Sequence, residues 1–331
     1  MGSKIRVVLL GCGGIGRHHL RLLRQSPEVE FCALVDPAKD SMDGIRVFAD
    51  WNLCATAIAN GELPAPQAAI VATPISTHFA LVKNLLDAGL HVFVEKPLAP
   101  EIAEAQALVD LAQKQQRVLM VGHSERQNPA FQVFFREFQA GITGQVYRIE
   151  CNRTGPFPQR LGDAGATIDL AVHDLECLSH ILGNASPQWM FARIEQRIHP
   201  TREDGLNAML GYAPDILVQM TVNWLSPRKA RYLNVYGHAG MLQCDFYQQR
   251  VTFFQNLYQR SRPDEYGIGG IEVGPEKSFD VPSWEPLARE HELFFEQVRK
   301  GQSDVEALRS ACLAVEIANQ LTSQSQENFH G

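Results

Sequence analysis

The chain has 331 residues, 45% hydrophobic and 20% charged, the make-up of a globular protein too long for one typical core, so two domains are expected. A formal charge of −7 argues against nucleic acid or an anionic membrane as partner, and no apolar run approaches the ~20 residues of a transmembrane helix. Seven scattered cysteines without a CxxC pair exclude a disulfide framework or zinc ribbon. With an opening "MGSKIRVVLLG" that runs into a strand pattern rather than a signal peptide, they indicate a cytoplasmic protein.

Residues 1–122 alternate short apolar runs with helical patterns. The runs at Ile5–Leu10, Glu30–Val35, Arg46–Phe48, Ala68–Ala72, His91–Val94 and Val118–Val121 predict strands. Gly14–Arg24, Phe79–Ala88 and Glu101–Gln115 predict helices. Unbroken apolar strands alternating with helices indicate a doubly wound parallel sheet, an α/β Rossmann arrangement. Residues 123–331 change character. A helix at Ala130–Gln139 and a strand at Gln145–Cys151 precede a helical stretch at Thr167–His180. Apolar runs then follow closely at Trp189–Ile198, Asn207–Tyr212, Ile216–Trp224, Tyr232–Tyr236, Met241–Phe246 and Val251–Phe254. They leave no room for crossover helices, so an antiparallel or mixed sheet is expected. Gln255–Pro286 is rich in Gly, Pro and charge and reads as a long loop or interface arm, before helices at Pro286–Lys300 and Val305–Thr322.

"VVLLGCGGIGRHHL" carries G-x-G-x-x-G at Gly11, Gly13 and Gly16, directly after the first strand and opening a helix. In that context Gly11 permits the tight turn, Gly13 lets backbone approach a pyrophosphate, and Gly16 permits close helix–strand packing. The helix N-terminus then offers free N–H groups to phosphates. Asp36, closing the second strand in "CALVDP", is the acid expected about 20 residues on. It would accept hydrogen bonds from ribose hydroxyls and repel a 2′-phosphate, so NAD is expected over NADP. His18 and His19 read as packing or surface residues.

"TIDLAVHDLECLSH" spaces Asp169, His173, Glu176 and His180 at i, i+4, i+7, i+11, within roughly 60° of one another on one helical stripe. Ile168, Ala171, Val172, Leu175, Leu178 and Leu182 form the opposite, apolar stripe. Two imidazoles alternating with two carboxylates suggest a site. "VFVEKPL" puts Lys96 just beyond the fifth strand, where a doubly wound sheet places its ligands.

The glycine loop, "ATPISTH" (Ala72–His78), "EKP" (Glu95–Pro97) and "DLAVHD" (Asp169–Asp174) together resemble the Gfo/Idh/MocA oxidoreductases, over nearly the whole chain. The resemblance implies an N-terminal Rossmann domain, an α+β C-terminal domain built on an open, mostly antiparallel sheet, and NAD-dependent hydride transfer from a sugar or cyclitol hydroxyl. It implies that Lys96, Asp169 and His173 line the active site and that the Lys–Pro bond is often cis. It also implies a cofactor side completed by Gly14, Ile15, Thr73, Pro74, His78, Glu95 and Lys96. Taking hydride from a C–H needs a partner for the hydroxyl proton, so His173 and Lys96 are the acid/base candidates, with Asp169 orienting. Glu176 and His180 are expected to be structural. A shared cation between Asp169 and His173 is the rival reading. No third ligand stands nearby and the family implies metal-free chemistry, so no metal is expected.

"VGHSERQNPAF" (Val121–Phe131) and "RTGPFPQR" (Arg153–Arg160) resemble the branch of that family that oxidises the 3-hydroxyl of UDP-N-acetylglucosamine or related UDP-sugars. Arg126, Asn128, Arg153, Phe157 and Arg160 then join Lys96, Asp169 and His173 as substrate-side candidates. Arg153 and Arg160 would grip a diphosphate in fork geometry, and Phe157 would pack on a sugar or base. Free-sugar or inositol oxidation is the alternative within the family, and a non-catalytic NAD-binding redox regulator the alternative outside it. An open sheet face and the 255–286 arm predict a homodimer or homotetramer.

Overall fold

The computed structural model describes residues 3–39, 41–42, 44–159, 163–257 and 274–327. The first half alternates β1 (Ile5–Leu10), α1 (Gly14–Gln25), β2 (Val29–Val35), β3 (Val47–Phe48), α2 (Trp51–Ala59), β4 (Ala68–Val71), α3 (His78–Asp87), β5 (His91–Glu95), α4 (Ile102–Lys114) and β6 (Leu119–Gly122). Its six strands lie in the order β3-β2-β1-β4-β5-β6, every neighbouring pair parallel. Val7, Val8 and Leu9 of β1 and all of β4 are fully buried, which is why these strands read as unbroken apolar runs. The strand order reverses between β1 and β4, opening a crevice at their C-terminal ends. The helix α2 was not expected from sequence. Its buried residues are only Trp51, Cys54 and Ala57, and an Asp50 side chain caps it by accepting the Leu53 N–H.

The second half contains α5 (Pro129–Gln139), β7 (Val146–Thr154), α6 (Val172–Ile181), β8 (Trp189–Glu195), β9 (Gly205–Tyr212), β10 (Ile216–Asn223), β11 (Ala230–Gly237), β12 (Gly240–Asp245), β13 (Arg250–Gln255), β14 (Glu276–Phe279), α7 (Pro286–Lys300) and α8 (Val305–Glu327). Eight strands form one sheet in the order β14-β13-β12-β11-β7-β10-β9-β8. Only the β7–β10 pair is parallel. The inner face buries Ile149, Cys151, Leu206, Leu210, Val218, Val222, Leu233 and Val235 against Phe131 and Phe134 of α5, Leu175 and Leu178 of α6, and Ile317 and Leu321 of α8.

Two features refine the expected layout. Glu276–Phe279, inside the stretch expected to be a loop arm, pairs with β13 as the edge strand; residues 258–273 of that stretch lie outside the described residues. The last two helices tie the halves together. Phe294 and Phe295 of α7 enter the core of the parallel sheet. Along α8, Leu308 and Ala311 pack with the first half and Ala314 and Ile317 with the second. This double anchoring sets the crevice of the first sheet against the helix α6 of the second. No described helix is long and apolar enough to cross a membrane.

Candidate active site

The glycine loop is shaped by two close approaches. Gly11 has φ +89°, and a Cβ there would stand 2.4 Å from the Ala72 carbonyl oxygen, so both conformation and space require glycine. A Cβ on Gly16 would stand 2.3 Å from the Gly11 carbonyl oxygen. Gly13 and Gly14 differ, since a Cβ on either meets nothing within 4 Å. No side chain caps the N-terminus of α1, and its first turn holds no acid. The result is an open shelf of backbone N–H groups at a positive helix end, the donor set a dinucleotide pyrophosphate needs. Asp36 stands beside it, 8% exposed, its Oδ2 accepting the Cys12 N–H at 2.7 Å and Oδ1 the Ala38 N–H at 2.8 Å. These residues fit NAD.

A cavity of about 750 Å³ lies next to this shelf, bounded by Ile15, Thr73, Pro74, Glu95 and Lys96 of the first half and by Asp169, His173 and Trp224 of the second. The Lys96–Pro97 peptide is cis. Lys96 Nζ donates to Asp169 Oδ1 at 3.0 Å and to the Asp169 carbonyl oxygen at 2.8 Å. Asp169 lies in a π-helical turn, Thr167–Ala171, that runs into α6. Such wide turns recur at functional sites. Glu203 holds the start of this helix: its carbonyl oxygen accepts the Ala166 N–H and its Oε1 the Thr167 N–H, both at 3.0 Å. His173 follows one turn later, with Nδ1 enclosed and, among the described residues, unpartnered. Burial, and then the positive charges of Lys96 and Arg153, hold its pKa well below the usual imidazole range. The ring is therefore neutral at physiological pH, the form in which an imidazole has a lone pair to offer a proton.

The far end of the polar stripe has another use. Glu176 is 1% exposed and accepts from Arg126 Nη1 at 3.3 Å, while Arg126 Nη2 donates to His180 Nδ1 at 3.2 Å. Burial lifts the Glu176 carboxyl to about 7 against the pull of Arg126. Arg126 is thus committed to α6 rather than to the cavity. Asn128 is committed as well: it caps α5 by accepting the Ala130 N–H and donates to Glu125 Oε2 at 3.1 Å.

The largest correction concerns Arg153, expected to grip a diphosphate. It is 2% exposed and donates to both oxygens of Asp174, at 3.0 and 2.9 Å, and to Glu125 Oε1 at 2.8 Å. Every fork of the guanidinium is spent on a buried ion-pair cluster. Arg160 lies outside the described residues. Phe157 meets Trp224 edge to face at 6.1 Å and so backs the cavity wall. His78, expected at the cofactor, is 1% exposed; its ring nitrogens meet the carbonyl oxygens of Pro97 and Thr73 at 2.9 and 3.0 Å, fastening two cavity loops. His19 is fully buried between Glu95 and His291, at 2.8 Å from each, whereas His18 lines the cavity.

Sequence reasoning missed Trp224, Arg231, Asp163 and the Glu285–Leu287 corner, all on the cavity wall. Asp163 also bridges the halves, accepting the Ile75 and Ser76 N–H groups at 3.3 and 2.8 Å. Arg231 is the register partner of Arg153 on the adjacent strand, a pairing that appears only once the sheet is formed, so the sequence held no signal for it. Among the described residues no cluster of three or more His, Cys, Asp or Glu is placed to hold a metal.

Comparison with known proteins agrees with this geometry. Residues 5–123 match the oxidoreductase family model with an NAD-binding Rossmann fold, and residues 136–243 match the GFO/IDH/MocA C-terminal domain. The chain belongs to the Gfo/Idh/MocA family and is an NAD-dependent oxidoreductase acting on CH–OH groups, of the family that includes sugar and inositol dehydrogenases. It is 28% identical over 300 residues, 89% of this chain and 88% of the other, to UDP-N-acetylglucosamine 3-dehydrogenase of Acidithiobacillus ferrooxidans. The solved structure of that enzyme superposes with a TM-score of 0.81 at 22% identity, covering 98% of each chain. A scyllo-inositol 2-dehydrogenase of Bacillus subtilis is 26% identical over 55% of each chain.

Proposed function

We propose that the protein oxidises a secondary hydroxyl of a nucleotide-linked amino sugar, most specifically C3 of a UDP-N-acetylglucosamine-type substrate, to a 3-keto sugar. Residues 1–122 would hold NAD and residues 123–331 the sugar. The observation that carries the chemistry is the placement of His173 with the Lys96–Asp169 pair on the wall of one cavity that reaches Ile15 at the start of α1. Gly13, Gly14, Ile15, Thr73 and Pro74 would hold the cofactor, with Asp36 on the adenosine ribose. NAD, when bound, supplies the hydride acceptor. The protein supplies the proton path: His173 takes the hydroxyl proton as the C–H bond breaks. Lys96 donates a hydrogen bond to the same oxygen and lowers its proton affinity. Asp169 fixes the direction of the ammonium, and Trp224 offers an apolar wall for the sugar ring.

The choice of a UDP-sugar is supported by the 28% identity over most of both chains to a UDP-N-acetylglucosamine 3-dehydrogenase. Inositol or free-sugar oxidation is the second reading, supported by the scyllo-inositol dehydrogenase relative. NAD reduction measured with UDP-N-acetylglucosamine, its uronic acid, free hexoses and inositols decides between them. Success with inositol or a hexose alone overturns the first reading.

The outer face of the second sheet supports a homodimer or homotetramer. There Phe191, 68% exposed, is the cross-strand partner of Met209, 41% exposed, next to Trp189 at 43%. Contiguous apolar area of this kind marks an interaction surface. Light scattering at micromolar concentration is expected to give an oligomer that Phe191→Asp dissociates; a monomeric wild type overturns it.

A further inference from the structure

The active cavity is a poor host for a diphosphate. Among the described residues, its wall carries the carboxylates Glu95, Glu125, Asp163, Asp169 and Glu285, against the cations Lys96 and Arg231. A doubly charged tail would be repelled there. A second groove, of about 560 Å³, shares Arg231 with the cavity and runs from it along the ends of the second sheet's strands. Its charge is opposite. Arg228, Lys229 and Arg250 join Arg231 on its lining. Among the described residues, the first three have no carboxylate partner within 4 Å. The one carboxylate among the described lining residues, Asp245, is turned into its own β12–β13 turn, where Oδ1 accepts the Tyr247 and Gln248 N–H groups at 3.0 and 2.8 Å. Tyr247, 63% exposed, and Tyr232 complete the lining.

In a chain of net charge −7, four cations gathered around one groove need an explanation. We propose that this groove is the nucleoside-diphosphate subsite, resting on the UDP-sugar reading above. The sugar occupies the cavity over Trp224 and His173. Arg231, 42% exposed and 3.9 Å from Glu125, stands at the junction and meets the first phosphate. Arg228, Lys229 and Arg250 neutralise the rest of the diphosphate, and Tyr247 gives the base a flat ring to stack on. The arrangement separates a neutral reacting head from an anionic handle, so binding energy from the handle is available to position the head.

The test uses the NAD-loaded full-length protein, with UDP as probe in calorimetry and UDP-N-acetylglucosamine in turnover. All three residues to be changed are exposed, so the Arg228→Ala/Lys229→Ala/Arg250→Ala variant is expected to fold as the wild type. Each lost charge should weaken UDP binding by about three- to tenfold, so the triple variant loses at least ~30-fold. The KM for the UDP-sugar should rise in parallel with kcat within about twofold, and NAD affinity should not move. Raising ionic strength should weaken wild-type UDP binding more than that of the variant. If wild type and variant bind UDP equally while UDP-N-acetylglucosamine is still oxidised, the subsite is overturned and the substrate reading survives. If the wild type neither binds UDP nor oxidises a UDP-sugar, the substrate reading fails and the subsite falls with it.

Discussion

The two walls of the active cavity are built by different means. The cofactor wall is made of backbone from short contiguous segments, the Gly11–Gly16 loop, where Gly11 and Gly16 leave no room for a Cβ, and the Ala72–His78 turn, fastened by His78. The substrate wall is made of side chains from distant segments: Glu125, Asp163, Asp169, His173, Trp224, Arg231 and Leu287. A backbone site is written in local spacing and can be read along the chain. A side-chain site depends on which strand neighbour is covered and which is left open. Arg153 and Arg231 are register partners, yet one is 2% exposed under Asp174 and Glu125 and the other 42% exposed at the cavity edge.

The sharpest test of the substrate wall is removal of the proposed proton acceptor. His173→Ala and Lys96→Ala are each expected to cut turnover by about 10²–10⁴-fold, the usual contribution of a positioned acid or base. NAD binding should stay near wild type, because the shelf at Gly13 and Gly14 is untouched. Wild-type turnover in either variant removes that residue from the proton path.

Next in size is the contrast between the paired arginines. Arg153→Ala leaves Asp174 and Glu125 as buried uncompensated charges and should cost about 3–5 kcal/mol of stability. Thermal unfolding measures this. Arg231→Ala should leave the melting temperature within a few degrees and raise KM instead. A stable Arg153→Ala protein with a raised KM would reverse the two roles.

What could be read from the sequence follows the same division. The glycine loop, Lys96, Asp169 and His173 were legible because each sits at a spacing that a strand end or a helical turn fixes. The roles of Glu176 and His180 were legible as structural, although Arg126 as their common partner was not. Arg126 and Asn128 were misassigned because the short helical turn at Ser124–Gln127 sends Ser124 and Glu125 to the cavity and Arg126 toward α6. No residue pattern distinguishes those directions. Helix α2 escaped because it is short and apolar nearly all round, so its sequence shows no amphipathic period. Glu276–Phe279 escaped because an edge strand with three exposed residues of four carries no apolar alternation.

On the cofactor wall the expected effects are smaller and separable. Gly11→Ala forces a side chain into φ +89° and into the Ala72 carbonyl, so loss of stability should accompany loss of NAD binding. Gly13→Ala meets no protein atom within 4 Å. It should fold normally and weaken NAD by about tenfold, since the added methyl intrudes only on the cofactor. Equal NAD affinity in Gly13→Ala would mean that the shelf does not carry the pyrophosphate. Asp36→Ser should narrow the preference for NAD over NADP by about tenfold, measured by titrating each dinucleotide, and an unchanged ratio would release Asp36 from that role.

The smallest expected effect links the two walls through charge. His173 is held neutral by burial first and by the Lys96 cation second. Its folded-state pKa is therefore below the ordinary ~6.5 of histidine, and the acid limb of kcat/KM should fall below that value. The same sign applies to stability. Between the depressed value and ~6.5 the unfolded chain binds a proton that the native His173 refuses, so stability is lost as pH falls through that window. His123, lowered to about 3, and His180, lowered to about 4, act in the same direction. Glu176, raised to about 7, opposes them, because its native form gains a proton that the unfolded chain has released. Lys96→Met removes one of the charges that depress His173, so the imidazole pKa should rise by less than about one unit. Lys96→Arg, which keeps a cation, should leave it nearly unchanged. Histidine ring resonances followed by NMR from pH 4 to 8 read this without needing turnover. If Lys96→Met leaves the His173 titration where it was, the two residues do not sense each other, and proton transfer must be assigned to one of them alone.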